Sequence, residues 1–248
     1  MSAGAAPLGV IALVGRSFRL VYEGFGFLFP LAFLPALAMT GLSYALLGGP
    51  EAAAPPPEAL LASAGFIAAL AVNVIGGFVV TGIMCLAALD VALGKRHSLS
   101  DYLGQTLRHL GPLVALGTLL SAATGLAGVL LLLPGLYVVA RFLPWAPAAL
   151  FENAGWSSLG RAQDLTQGYR WPIVGATLLI GIAMFAALLV FGPLAAYAGT
   201  NLVLAALVEA VFTALAYALI AAFTGLAYLR LREIREGLSP AEVARTID

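Results

Sequence analysis

The chain has 248 residues, 62% of them hydrophobic and only 10% charged, and its mean hydropathy is +1.01. An ordinary soluble domain carries about 25% charged residues, so a water-facing exterior is excluded and lipid is the expected solvent. Lysine plus arginine and aspartate plus glutamate balance at 12 each, so the overall charge implies no nucleic-acid or acidic partner.

The first 14 residues have no basic start and only a short apolar stretch, so no cleavable leader is expected. A membrane-crossing helix needs about 20 mostly apolar residues, and six stretches supply them. They are 27–47, 60–93, 112–133, 136–151, 172–194 and 202–229, the last continuing as a charged helix through Arg235. The second is longer than a bilayer requires. The fourth is short and irregular, carrying Arg141, Pro144 and Pro147. The lone cysteine, Cys85, lies inside an apolar run and is read as a small buried residue.

Basic residues fall on one side of this layout. Arg16 and Arg19 precede the first span, and Lys95, Arg96 and Arg108 separate the second from the third. Arg161 and Arg170 separate the fourth from the fifth, and Arg230, Arg232, Arg235 and Arg245 end the chain. The opposite connections, 48–57, 134–135 and 195–201, carry none. The excess of positive charge on cytoplasmic loops puts both termini in the cytoplasm. It also makes the Pro-rich stretch 50–58 an outward loop.

The sequence also repeats. Thr81-Gly82 and Thr224-Gly225 stand at the same distance from a later glycine, Gly94 and Gly237, each expected to end a long helix. A capping-box pattern follows each: Ser98 with Asp101, and Ser239 with Glu242. Segments 15–25, 100–111 and 159–169 each precede an odd-numbered span. In the middle one Leu99, Tyr102, Leu103, Leu107 and Leu110 share a helical face, as suits a helix lying at the interface. The expected fold is therefore all-α. Six transmembrane helices form three hairpins, each preceded by a cytoplasmic amphipathic helix, in one membrane domain over 1–248 with repeat units 8–94, 98–153 and 157–237.

One stretch carries a family resemblance. It runs from Pro134-Gly135 through Arg141 and Glu152 to Arg161, Leu165, Thr166 and Gly168. It resembles the membrane domain at the N-terminus of some glycerophosphoryl diester phosphodiesterases and related stand-alone bacterial inner-membrane proteins. That family shows a Pro-Gly turn, an intramembrane arginine, an acid at the span's end and an Arg-x-x-x-Leu-Thr-x-Gly helix. Here Ala162 stands where the family often has serine. The resemblance implies a bacterial inner-membrane location. The phosphodiesterase chemistry of fused relatives belongs to a separate soluble barrel, which this sequence does not contain.

Catalytic patterns are thin. His97 and His109 stand outside any metal-ligand or nucleophile motif, so no enzyme, metal or cofactor is expected. Arg141 and Glu209 are the deep ionisable residues. Counted along straight helices they lie at similar depth, which predicts an ion pair between the fourth and sixth spans. Small residues at 65, 69, 73, 77 and 81, and at 117, 121 and 125, form ridges for close helix approach. Glu209, Thr213 and Tyr217 share a face, and Asn73 is expected to face one cavity with Glu209. The first functional expectation is a small-solute or lipid transport or handling protein with a site at Arg141, Glu209, Asn73 and Tyr217. In it Arg108, Arg161 and Arg170 meet lipid headgroups or helix caps. The alternative is a structural or partner-binding subunit without a substrate. The expected partners are membrane lipids, with a membrane-protein partner or a second copy of the chain.

Overall fold

The structure is a computed structural model that describes residues 8–47, 63–198, 201–238 and 242. The stretch 50–58 and the expected cap residue Ser239 lie outside the described residues. Every regular element among the described residues is helical: α1 (Val10–Glu23), α2 (Phe25–Leu47), α3 (Ala64–Leu93), α4 (Leu99–Arg108), α5 (Leu110–Leu130), α6 (Leu132–Phe142), α7 (Trp145–Phe151), α8 (Ser158–Thr166), α9 (Arg170–Ala198) and α10 (Leu202–Glu236). Six stretches are long and apolar enough to cross a membrane: α2, α3, α5, α6 with α7, α9 and α10. Large apolar side chains such as Leu119, Leu126, Ile182, Phe185 and Leu189 are exposed along α5 and α9. That surface suits acyl chains and is untenable in water. The chain is a multi-pass helical membrane protein.

Short helix, span, span is the element order three times over. Consecutive spans pack together, α2 with α3, α5 with α6, and α9 with α10. The core lies where the second half of α3, from Val80 to Asp90, meets the second half of α10, from Ala214 to Arg232. Along α10 the buried positions 206, 210, 214, 218 and 222 are all alanine. A ridge of methyl groups with period four lets neighbouring backbones approach closely, and α10 packs extensively against α2 and α3. Helix α10 has 35 residues, roughly 50 Å at ~1.5 Å each. The hydrocarbon layer is about 30 Å thick, so its last charged turns extend beyond that layer.

Helix ends follow local chemistry. Gly94 and Gly237 both adopt φ 70°, the left-handed conformation that ends α3 and α10. Asn153, just past α7, is the one non-glycine residue with positive φ among those described, at 50°. Asparagine tolerates that region where most side chains do not. Ser98 forms the expected capping box with Asp101 at the start of α4. Hydrogen bonds from Ser98 hold the Asp101 carboxyl below the ordinary aspartate range.

The short helices α4 and α8 turn a mixed set of side chains inward. On α4 the buried residues are Tyr102 and Thr106, while Leu99 and Leu107 are exposed. On α8 Leu165 is buried, as expected, together with Ser158, Ala162 and Thr166. Ala162 is fully buried.

Candidate functional site

Between α3, α5, the α6–α7 break and α10 lies a partly open cleft of about 570 Å³. Its walls are mostly apolar, with hydroxyls from Thr81, Ser121, Thr124, Tyr217 and Thr224. A second cavity of about 310 Å³ adjoins it, sharing Thr81, Ser121 and Tyr217 and adding Asn73. The two repeated threonines, Thr81 of α3 and Thr224 of α10, thus both face the cleft. The Thr81 hydroxyl donates to the Gly77 carbonyl at 2.8 Å. The Tyr217 hydroxyl lies close against Gly77, at a spot where any side chain on Gly77 would meet it at 3.1 Å. Asn73 donates to Ser43 on α2 at 2.7 Å and to the Ala69 carbonyl at 2.8 Å.

One wall of the cleft exists because the fourth span is broken. The helix interrupts at Leu143–Pro144 and restarts as α7. Pro144 has no N–H to continue the ladder, and Pro147 falls in the first turn of α7, where no intrahelical donor is needed. Residues Ala146 to Phe151 of α7 are all buried. Phe142, Leu143, Trp145 and Ala146, on either side of the break, line the cleft.

A charged network fastens the far end of that span. Glu152, just past α7, accepts two hydrogen bonds from Arg161 of α8, at 2.5 and 3.1 Å. It accepts a third from Tyr228 of α10 at 2.9 Å. Arg161 also pairs with Glu236, and Glu236 holds Arg232 at 2.8 Å. Arg232 in turn donates to Tyr228 at 3.2 Å. Burial alone disfavours the Arg161 charge, but the hydrogen bonds and charges of Glu152 and Glu236 outweigh it and raise its pKa above the ordinary arginine value. Arg161 is therefore engaged by two carboxylates rather than left for a headgroup.

The expected Arg141–Glu209 ion pair does not form. Arg141 donates to Gln163 of α8 at 2.6 Å, and Glu209 accepts from Tyr44 of α2 at 2.7 Å. The physical reason is packing: α6 lies against α5, α8 and α9 and has no substantial contact with α10. Equal depth along two helices does not make them neighbours. Glu209 is not among the residues that line the cavity holding Asn73. Arg170 donates to Tyr137 at 3.2 Å. Arg108 is exposed in the last turn of α4.

A further cluster went unread in the sequence. Asp90, 3% exposed, accepts from Tyr102 at 2.6 Å and meets His97 Nδ1 at 2.6 Å. It joins the end of α3 to α4. The pattern that marks it is an acid four residues before a helix-ending glycine, repeated at Glu233. No protein-family model matches the chain, and neither a curated protein nor a solved structure matches it.

The network gives a quantitative expectation. Arg161→Gln removes the hydrogen-bonded partner of a part-buried carboxylate and is expected to cost about 2 kcal/mol. Thermal unfolding in detergent should show Arg161→Gln and Glu152→Gln each destabilising. The double variant should lose at least about 0.5 kcal/mol less than the sum. Strict additivity would show that the contact contributes nothing.

Proposed function

We propose that this chain is a non-enzymatic membrane protein that takes an apolar or amphiphilic molecule, of the lipid or small-solute class, into the cleft between α3, α5, α6–α7 and α10. The observation that carries this reading is the cleft's volume and lining. At about 570 Å³ it falls within the usual size of ligand pockets, which are mainly apolar with a few placed polar groups. Tyr217 and Asn73 line the adjoining cavity as polar groups, which supports the role proposed for them. The cleft's lining carries no carboxylate or imidazole, which favours binding or passage over acid–base chemistry. The resemblance to the phosphodiesterase-linked membrane domain supports a lipid-related role and a bacterial inner membrane.

A second reading, a subunit that binds a membrane partner or a second copy, is favoured by one observation. Only 11% of the apolar window of α5 is buried, the smallest share among the six spans. The cleft and the α5 face make different demands, so one variant separates them. Gly125 lines the cleft, and nothing lies within 4 Å of where its side chain would start. Gly125→Leu starts its side chain in open space beside the cleft, and leucine suits a helix better than glycine by about 0.8 kcal/mol. Mass spectrometry of lipids and metabolites co-purifying with the protein should show a bound species reduced several-fold in Gly125→Leu, with unchanged melting temperature. No bound species in either protein, with a stable dimer in native mass spectra, would favour the second reading.

Orientation has its own test. Tyr197, 88% exposed, ends α9 away from the arginine-rich end, and Ser100 lies in the first turn of α4. In a Cys85→Ala background, Tyr197→Cys is expected to react with an impermeant maleimide on intact cells. Ser100→Cys is expected to react only after permeabilisation. The reverse pattern would place the termini outside.

A further inference from the structure

We propose that the junction of α6, α8 and α9 binds a phosphate-class anion between Arg141 and Arg170. This site is separate from the cleft and does not rest on what occupies it.

Two sets of contacts bring the arginines to one junction. The Thr166 hydroxyl of α8 donates to the Arg141 carbonyl at 2.8 Å, and Gln163 accepts from Arg141 Nη2 at 2.6 Å. Arg170 follows Thr166 by one helical turn of sequence and gives Nη1 to the Tyr137 hydroxyl at 3.2 Å. Tyr137 stands one turn before Arg141 on α6. Trp171, next to Arg170, packs its ring 5.9 Å from that of Tyr137.

Neither guanidinium has a carboxylate partner among the described residues. Arg161 and Arg232, by contrast, are each held by acids. The unmet donors concentrate here too. Among the described residues six buried side-chain polar atoms lack a partner, and Arg141 Nε and Arg170 Nε are two of them. Arg141 Nη1 and Arg170 Nη2 are outside that buried set and have no hydrogen bond among the described residues, the Arg141 guanidinium lying 5.5 Å from the centre of the Phe142 ring. These two arms are free to take an anion. An uncompensated charge in an apolar span is costly, and two like charges at one junction add repulsion. A phosphate group answers both costs. It carries the opposite charge, and its oxygens match planar guanidinium forks, which bind phosphate with two parallel hydrogen bonds. Gln163 and Tyr137, each neutral, hold one arm of each fork and leave the other arms directed by the same side chains.

The phosphate could belong to a lipid phosphodiester or to free inorganic phosphate, and the test separates them. The full chain, stripped of lipid in a neutral detergent, is melted with phosphatidylglycerol, with diacylglycerol and with inorganic phosphate. Phosphatidylglycerol is expected to raise the melting temperature by roughly 5 °C near saturation, and diacylglycerol to leave it unchanged. An equal rise with inorganic phosphate would identify the free anion as the ligand, and a rise with phosphatidylglycerol alone the lipid. Arg141→Gln and Arg170→Gln should each remove most of the rise, while Arg108→Gln, at an exposed arginine elsewhere, and Gly125→Leu, in the cleft, should keep it. Should Arg141→Gln fail to fold, Arg170→Lys, which keeps the charge but loses the fork, should at least halve the response. The absence of any anion response in the unmodified protein would overturn the proposal. So would a response that Arg170→Gln and Arg170→Lys leave intact.

Discussion

The fourth span cannot cross an apolar layer as one straight helix, and much of the interior follows from how the chain resolves that constraint. Pro144 and Pro147 interrupt the hydrogen-bond ladder, and Arg141 and Glu152 place a charge on either side of the interruption. The chain breaks into α6 and α7 and buries α7 against α3, α5, α8 and α10. It then fixes the far end by directing three hydrogen bonds onto Glu152. Once α7 is fixed, α8 packs beside α6, so that Arg141 meets Gln163 and the Thr166 hydroxyl meets the Arg141 carbonyl. The gap left at the break is the cleft.

The acids that reach inward each have partners. Asp90 is shared by Tyr102 and His97 and Glu152 by Arg161 and Tyr228, while Glu209, exposed on α10, is bonded to Tyr44. Removing one partner from such a group strands a charge, which costs more than the contact itself provides. The hydroxyls of the cleft are cheaper to keep. A threonine on a helix can satisfy its own donor on the carbonyl one turn back, as Thr81 does on Gly77. Polar character can therefore line an apolar cavity without a large stability cost.

The six spans were legible because hydrophobic length is a property of each segment alone. The helix-ending glycines 94 and 237 and the Ser98 cap were legible for the same reason: each depends on a few neighbouring residues. The Arg141–Glu209 pair failed because it depends on which spans are neighbours. Depth counted along the chain says nothing of that. The sequence leaves Arg161 between a headgroup and a helix cap; it bonds Glu152, which ends α7, and Glu236, which lies 75 residues away and is not readable as a partner from spacing. The alanine ridge of α10 was legible in principle, as a run of alanines at period four, but alanine abounds in this composition and the ridge does not stand out. Asn73 stands out in the sequence because polar residues on small-residue ridges are few, and it lines a cavity with Tyr217.

Trp145 offers the most direct view of the cleft, because it lines the wall beside the break. The other two tryptophans, Trp156 and Trp171, are 66% and 68% exposed. In a Trp156→Phe, Trp171→Phe variant reconstituted into vesicles of brominated phospholipid, all tryptophan emission comes from Trp145. If an apolar chain from the bilayer enters the cleft, that emission is strongly quenched, and adding Gly125→Leu relieves the quenching. Emission equal to that in unbrominated vesicles, or quenching that Gly125→Leu leaves unchanged, would contradict a lipid-accessible cleft.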